Sequence, residues 1–293
     1  MVALTRLLGT AILALAFSGS ACRQTEGPPS ARAAVAASIF PIFDIVRRVA
    51  GDAVPVALIL PPGHMDHGFD PRPHDLARLS GVELGFGVGL GLDPWNERVL
   101  AASTDGRARV IELGPALDPR SFPAGGQDPH FFLDPERMAK GALLVAEALA
   151  VRDPAGERGY HARGRQVAAE LRALDAELRA RAERFTKRAF VTFHGSFFYF
   201  AERYRLTVVA VVEPLPGREP KPRDVADVLR AIREGEAAAL FSEPQLDSRP
   251  ARVVAAESGL PLFELDPNGG GLGAETYEAL MRRNIAALEE ALR

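Results

Sequence analysis

The strongest constraint in this 293-residue chain is a rhythm that occurs twice. Short β-branched or apolar runs alternate with helical patterns in one set, and a second set follows after a long stretch with few helix breakers. The first set predicts strands at AASIF (36–40), VPVALIL (54–60), VELGFGV (82–88) and ARVIEL (108–113). Between and after them run helices such as PIFDIVRRVAG, HDLARLSG and DPWNERVLAAS. The second set predicts RAFVTF (188–193), LTVVAVV (206–212), EAAALFSE (236–243) and LPLFELD (260–266), with helices GSFFYFAERY, RDVADVLRAIREG and RPARVVAAESG. A terminal helix, ETYEALMRRNIAALEEALR, closes the chain. Repeated βα alternation implies an α/β fold of two similar lobes, each with a four-stranded, mainly parallel sheet flanked by helices.

Between the sets, Val167, Leu171, Leu174 and Leu178 recur at helical spacing within 157–185 and make one apolar stripe. The lobes are therefore expected to be joined by one long, rigid backbone helix, which would restrict the hinge motion that extended linkers permit. The expected division is 34–155 for the N-terminal lobe, 156–186 for the connecting helix and 187–293 for the C-terminal lobe.

Residues 1–21 read as a secretory signal peptide: Arg6 precedes an apolar run from Leu7 to Phe17, and small residues follow up to Ala21. Cys22, the single cysteine, ends that run and cannot form an internal disulfide. It resembles the lipidated cysteine of a bacterial lipobox, although Gly19 stands where an aliphatic residue is usual. Polar, Pro-containing residues 22–33 then read as a tether. The expected location is extracytoplasmic, in the periplasm or on the outer face of the cytoplasmic membrane. A net charge of −3, with Lys and Arg interspersed among Asp and Glu, argues against a nucleic-acid partner.

Gly85, Gly87, Gly89 and Gly91 superficially suggest a dinucleotide-binding turn. Leu90 and Leu92 occupy the third-glycine position of the first two frames, and Asp93-Pro94-Trp95 displaces the helix that should open there, so a tight loop is expected.

Three of the six histidines fall just beyond the C-terminal ends of predicted strands, where open α/β sheets place ligand sites. His67 lies in PPGHMDHGFDP, His130 in DPHFFLDP, and His194 directly follows RAFVTF; Asp266 ends LPLFELD. A lone histidine is usually a hydrogen-bonded loop or core residue, but the shared placement allows two donors per lobe to meet across the cleft. Three imidazoles and one carboxylate suffice for tetrahedral Zn²⁺. His64 is a candidate accessory donor beside the first loop, whereas His74 and His161 read as surface residues. Glu213 and Glu243, each followed by Pro, read as hydrogen-bonded loop carboxylates.

Over nearly its whole length the sequence resembles the solute-binding lipoproteins of zinc and manganese ABC importers, the cluster A-I type. The residues that carry the resemblance are His67-x-Phe69-Asp70-Pro71, Gly-x-Gly-Leu-Asp-Pro-Trp95, Asp128-Pro129-His130 with Leu133-Asp134-Pro135, His194 with FFYFAERY, Phe241-x-Glu243-Pro244-Gln245 and Leu265-Asp266-Pro267. Phe132 stands where that family commonly has Trp, and the His-rich acidic loop of some members is absent from the sequence. The resemblance implies that His67, His130, His194 and Asp266 bind the metal. It also implies no catalysis, docking on a permease with its ATPase, and membrane attachment through the lipid anchor; a monomer is expected.

His at position 194 favours Zn²⁺, whereas a carboxylate there would suit Mn²⁺. The alternatives are a Mn²⁺-preferring protein of the same kind, a zinc hydrolase with an open coordination position, and a surface adhesin. The hydrolase would need Asp266 outside the coordination sphere, and neither HExxH nor GxSxG occurs.

Overall fold

A computed structural model describes residues 34–122, 125–214, 220–271 and 273–293. The signal peptide, the tether and Cys22 lie outside these residues. The first sheet contains β1 (Val35–Ala37), β2 (Val56–Leu58), β3 (Leu84–Gly87) and β4 (Arg109–Glu112) in the order β2-β1-β3-β4. The second contains β5 (Ala189–Thr192), β6 (Thr207–Val211), β7 (Leu240–Ser242) and β8 (Leu262–Glu264) in the order β6-β5-β7-β8. Every pairing is parallel, so the two sheets repeat one topology. Both belong to a single structural unit.

Helices α1 (Phe40–Ala50), α2 (Pro73–Ala77) and α3 (Trp95–Thr104) accompany the first sheet. The expected helix of 74–81 is the shorter α2. In the glycine-rich segment after β3, the Asp93 carboxylate accepts hydrogen bonds from Val88 N and Gly89 N at 2.8 Å each. A Cβ on Gly87 would stand 2.6 Å from Asn96 Nδ2. The segment is thus a close-packed turn built around Asp93.

Two long helices form the spine. The second, α5 (Glu157–Ala182), is the expected connector, and Val167, Leu171, Leu174 and Leu178 are all buried. The first, α4 (Pro135–Arg152), was not among the predicted elements. Its start is well specified: Asp134 accepts from Glu136 N and Arg137 N, while Pro135 presets the first turn. The chain turns back through 154–156, and α4 lies close against α5 where a Cβ on Gly164 would be 2.7 Å from Ala146 Cβ.

The second sheet is flanked by α6 (Phe198–Arg203), α7 (Pro222–Glu234) and α8 (Arg249–Ser258), and α9 (Tyr277–Ala291) returns to pack on α5 and α1. One continuous core includes the first sheet, the spine, α9 and one side of the second sheet. A separate cluster of Val191, Phe193, Val212, Val228, Ile232, Leu240, Ala251 and Val254 fills the other side, under α7 and α8. No helix among the described residues is long and apolar enough to cross a membrane.

Candidate metal centre between the lobes

Loops leaving the C-terminal ends of β2, β4 and β5 bring His67, His130 and His194 together, with one ring nitrogen from each within 4.8 Å of the others. The ring centroids are 5.9 Å apart for His67–His130, 5.2 Å for His67–His194 and 5.3 Å for His130–His194.

Each ring is held differently. His130 Nδ1 lies 2.8 Å from Asp128 Oδ1, which also accepts from His130 N at 3.0 Å. With the carboxylate ionised, Nδ1–H donates and Nε2 is left as the free lone-pair nitrogen, the arrangement that orients metal-binding imidazoles. Arg120 Nη1 donates to the other oxygen of Asp128 at 3.0 Å. Tyr199 OH, from α6, donates to the Asp128 carbonyl at 3.0 Å and accepts from Arg120 N at 2.9 Å. The C-terminal lobe therefore braces a histidine of the N-terminal one.

The His67 loop is pinned from beneath: Asp66 Oδ1 accepts from His67 N at 2.9 Å, and Trp95 Nε1 donates to the Asp66 carbonyl at 2.7 Å. Phe69 meets the Trp95 ring edge-on at 5.1 Å. His194 has a looser support, with Nδ1 3.5 Å from the Glu213 carbonyl. Phe132 is fully buried with its ring 5.8 Å from that of His130, forming an apolar wall.

His67 Nε2 and His194 Nε2 are buried without a hydrogen-bond partner. Such orphaned nitrogens are costly in a folded interior unless a ligand takes them up. The electrostatics keep two of the three available. Burial lowers the pKa of His67, helped by the His130 charge and opposed by Asp66. Burial, with the neighbouring imidazoles, pushes His194 well below 6.5. At His130 burial also disfavours charge, but the Asp128 hydrogen bond and the charges of Asp128 and Asp66 prevail and raise its pKa.

Asp266 is buried but is not one of the clustered donors. Its Oδ1 accepts from Gln245 Nε2 at 2.7 Å, Gly269 N at 2.9 Å and Asn268 N at 3.0 Å. Asn284 of α9 fixes its backbone, accepting from Asp266 N at 2.9 Å and donating to its carbonyl at 2.7 Å. Glu243 is buried beside the site with Ser196 Oγ donating to it, and burial raises its pKa to about 8 against the hydrogen bond and the His130 charge. It therefore holds its proton near neutrality.

His64 is exposed, its ring edge-on to Phe69 at 6.2 Å, and it lines a cavity of about 480 Å³ that also reaches His67 and His74. His74 is exposed; His161 is only part-buried, 3.8 Å from Glu147 and Glu157. Sequence reasoning assigned no role to Asp66, Asp128 or Gln245. The Asp-Pro-His spacing was the available signal for Asp128, since two residues suffice for a side chain to reach the ring.

The family model described as the periplasmic zinc-uptake complex component A matches residues 35–291. The chain belongs to this family, the metal-binding solute-binding proteins of ABC importers. Its members are substrate-binding proteins, not enzymes, which removes the hydrolase reading. The chain is 30% identical to the iron-binding protein YfeA of Yersinia pestis over 252 residues, covering 83% of this chain and 81% of that protein. It is 26% identical to the manganese-binding lipoprotein MntA of Halalkalibacterium halodurans over 282 residues, covering 94% and 93%. The crystal structure of ZnuA superposes with a TM-score of 0.79 at 26% identity, covering 88% of this chain and 98% of that one.

Proposed function

We propose that this protein captures Zn²⁺ between its lobes, through His67 and His130 on one side and His194 and Asp266 on the other, and delivers it to an ABC permease. The supporting observation is the three-imidazole cluster, in which two Nε2 atoms are buried without partners and the third ring is oriented by Asp128. Imidazole nitrogen suits Zn²⁺, and three neutral rings with one carboxylate leave the bound site with a single positive charge. Asp266 supplies the fourth ligand in this reading, because it lies at the matching strand end of the second sheet. His64 serves as an accessory donor on the approach to His67, where the cavity opens.

In this reading the lobes comprise 34–155 and 187–293 with the spine segment 156–186 between them. A monomer is tethered through lipidated Cys22 on the extracytoplasmic side and docks with a permease and its ATPase. Two relatives bear manganese and iron in their names, so the deciding experiment is equilibrium competition of Zn²⁺ against Mn²⁺ and Fe²⁺ on the soluble protein. Tighter Zn²⁺ binding, with one ion per chain, is expected; tighter Mn²⁺ binding would overturn the zinc assignment.

A further inference from the structure

Two tyrosines of the C-terminal lobe reach the backbone that carries His130. Tyr199 of α6 donates from its hydroxyl to the Asp128 carbonyl at 3.0 Å. Tyr277, the first residue of α9, donates to the Phe132 carbonyl at 2.8 Å. These carbonyls stand two residues before and two residues after His130, so both ends of the turn 128–132 are tied to the other lobe. Both tyrosines are buried, as are Asp128, His130 and Phe132, and a buried carbonyl is costly to leave unpaired. The His67 loop is held differently, through Asp66 and Trp95 of its own lobe. Each tyrosine also shares an element with a ligand of the C-terminal lobe. Tyr199 follows His194 on the segment that enters α6, and α9 carries Asn284, which fixes the Asp266 backbone.

We infer that Tyr199 and Tyr277 are positioning residues for metal capture: they set His130 in place relative to His194 and Asp266 before the ion arrives, so that three of the four ligands form one pre-set group. This inference rests on the proposed four-ligand site. Ligands already in position spare the ion the cost of ordering them, which raises affinity. Each tyrosine has a second anchor that does not depend on its hydroxyl. The Arg137 guanidinium lies 4.7 Å from the centre of the Tyr199 ring, and Tyr277 N donates to Asp44 Oδ2 at 3.1 Å. A Phe in either place therefore keeps the ring and deletes the hydroxyl bonds alone.

The test is Tyr199→Phe, Tyr277→Phe and the double variant, with Tyr160→Phe and His130→Ala alongside, each checked for folding by circular dichroism. Tyr160 is the control: it is buried in the same core, but its hydroxyl donates to Asp153 at 2.7 Å, at the far end of the 18-residue α4, about 27 Å along the helix from the His130 turn. Zn²⁺ affinity is measured by competition, and the visible absorption of bound Co²⁺ reports the arrangement of its ligands. The expected result is Zn²⁺ affinity about tenfold lower in the double variant, the lower end for loss of an outer hydrogen-bond partner, with smaller losses in the single variants. The Co²⁺ bands should shift in the double variant and stay in place in Tyr160→Phe. Unchanged affinity and spectrum in the double variant, or an equal loss in Tyr160→Phe, would overturn the role of the two tyrosines; greatly weakened binding in His130→Ala would then leave the four-ligand site standing. Undiminished Zn²⁺ affinity in His130→Ala would remove that site, and the inference with it.

Discussion

The two lobes share a sheet order but not a way of holding their side chains. In the N-terminal lobe the sheet merges with the spine into one core, and His130 is fixed by a charged side chain, Asp128, at 2.8 Å. In the C-terminal lobe the outer side of the sheet packs as a separate small cluster, and His194 leans on a backbone carbonyl at 3.5 Å. Repetition of a topology therefore does not repeat its rigidity. One lobe presents a braced ligand, and the other a ligand whose position depends on a looser layer.

The comparison can be broken most forcefully at the spine, which both lobes share. Asp175 of α5 is buried, and Arg203 of α6 grips both its oxygens at 2.8 and 2.6 Å, with Tyr204 OH donating at 3.2 Å. Asp175→Ala would leave part-exposed Arg203 with only Asp134, 3.7 Å away, and should cost about 3 kcal/mol in denaturant unfolding, the lower end for breaking a buried pair. Burial alone would raise the Asp175 pKa, but the Arg203 and Arg179 interactions outweigh it and hold the group below its ordinary value. Its contribution is thus present above the usual carboxylate range and is lost as pH falls through the depressed pKa.

Next in size is the brace in the N-terminal lobe. Asp128→Ala should weaken Zn²⁺ binding about 10–100-fold by isothermal titration, because His130 loses both its orientation and its basicity. Within the outer C-terminal cluster, Val254→Ala should cost only about 1–2 kcal/mol, from about two buried methylene equivalents. Hydrogen exchange should then show the opening concentrated in α7 and α8, leaving the spine protected.

The smallest effect is on pH. His67 and His194, with lowered pKa values, shed their protons below the ordinary imidazole range, whereas His130, with a raised pKa, still carries a competing proton above 6.5. Zn²⁺ affinity should therefore fall as pH drops through the His130 range, and Asp128→Asn should move that fall to lower pH.

The positions of the strands along the chain and the connector were legible because each run has a clear period and α5 buries a single stripe. Helix α4 was harder to read: Met138, Ala142, Val145 and Leu149 face inward, but Leu143, Leu144 and Val151 are exposed and apolar, so no polar face outlines it. At the site, strand-end position marked the three histidines, since topology carries those ends to the same cleft. The donors around them were less visible. Gln245 reaches Asp266 across 21 residues of sequence and Tyr199 reaches Asp128 across 71, distances at which spacing says nothing about contact.

Capture across the cleft requires both lobes to bind the same ion. The most direct measurement is Zn²⁺ titration of the wild type beside His67→Ala and His194→Ala, one ligand removed from each lobe. Affinity should fall at least about 100-fold in each variant, beyond what loss of an outer partner costs. A His194→Ala protein that binds Zn²⁺ as tightly as the wild type would confine the site to the N-terminal lobe and contradict it.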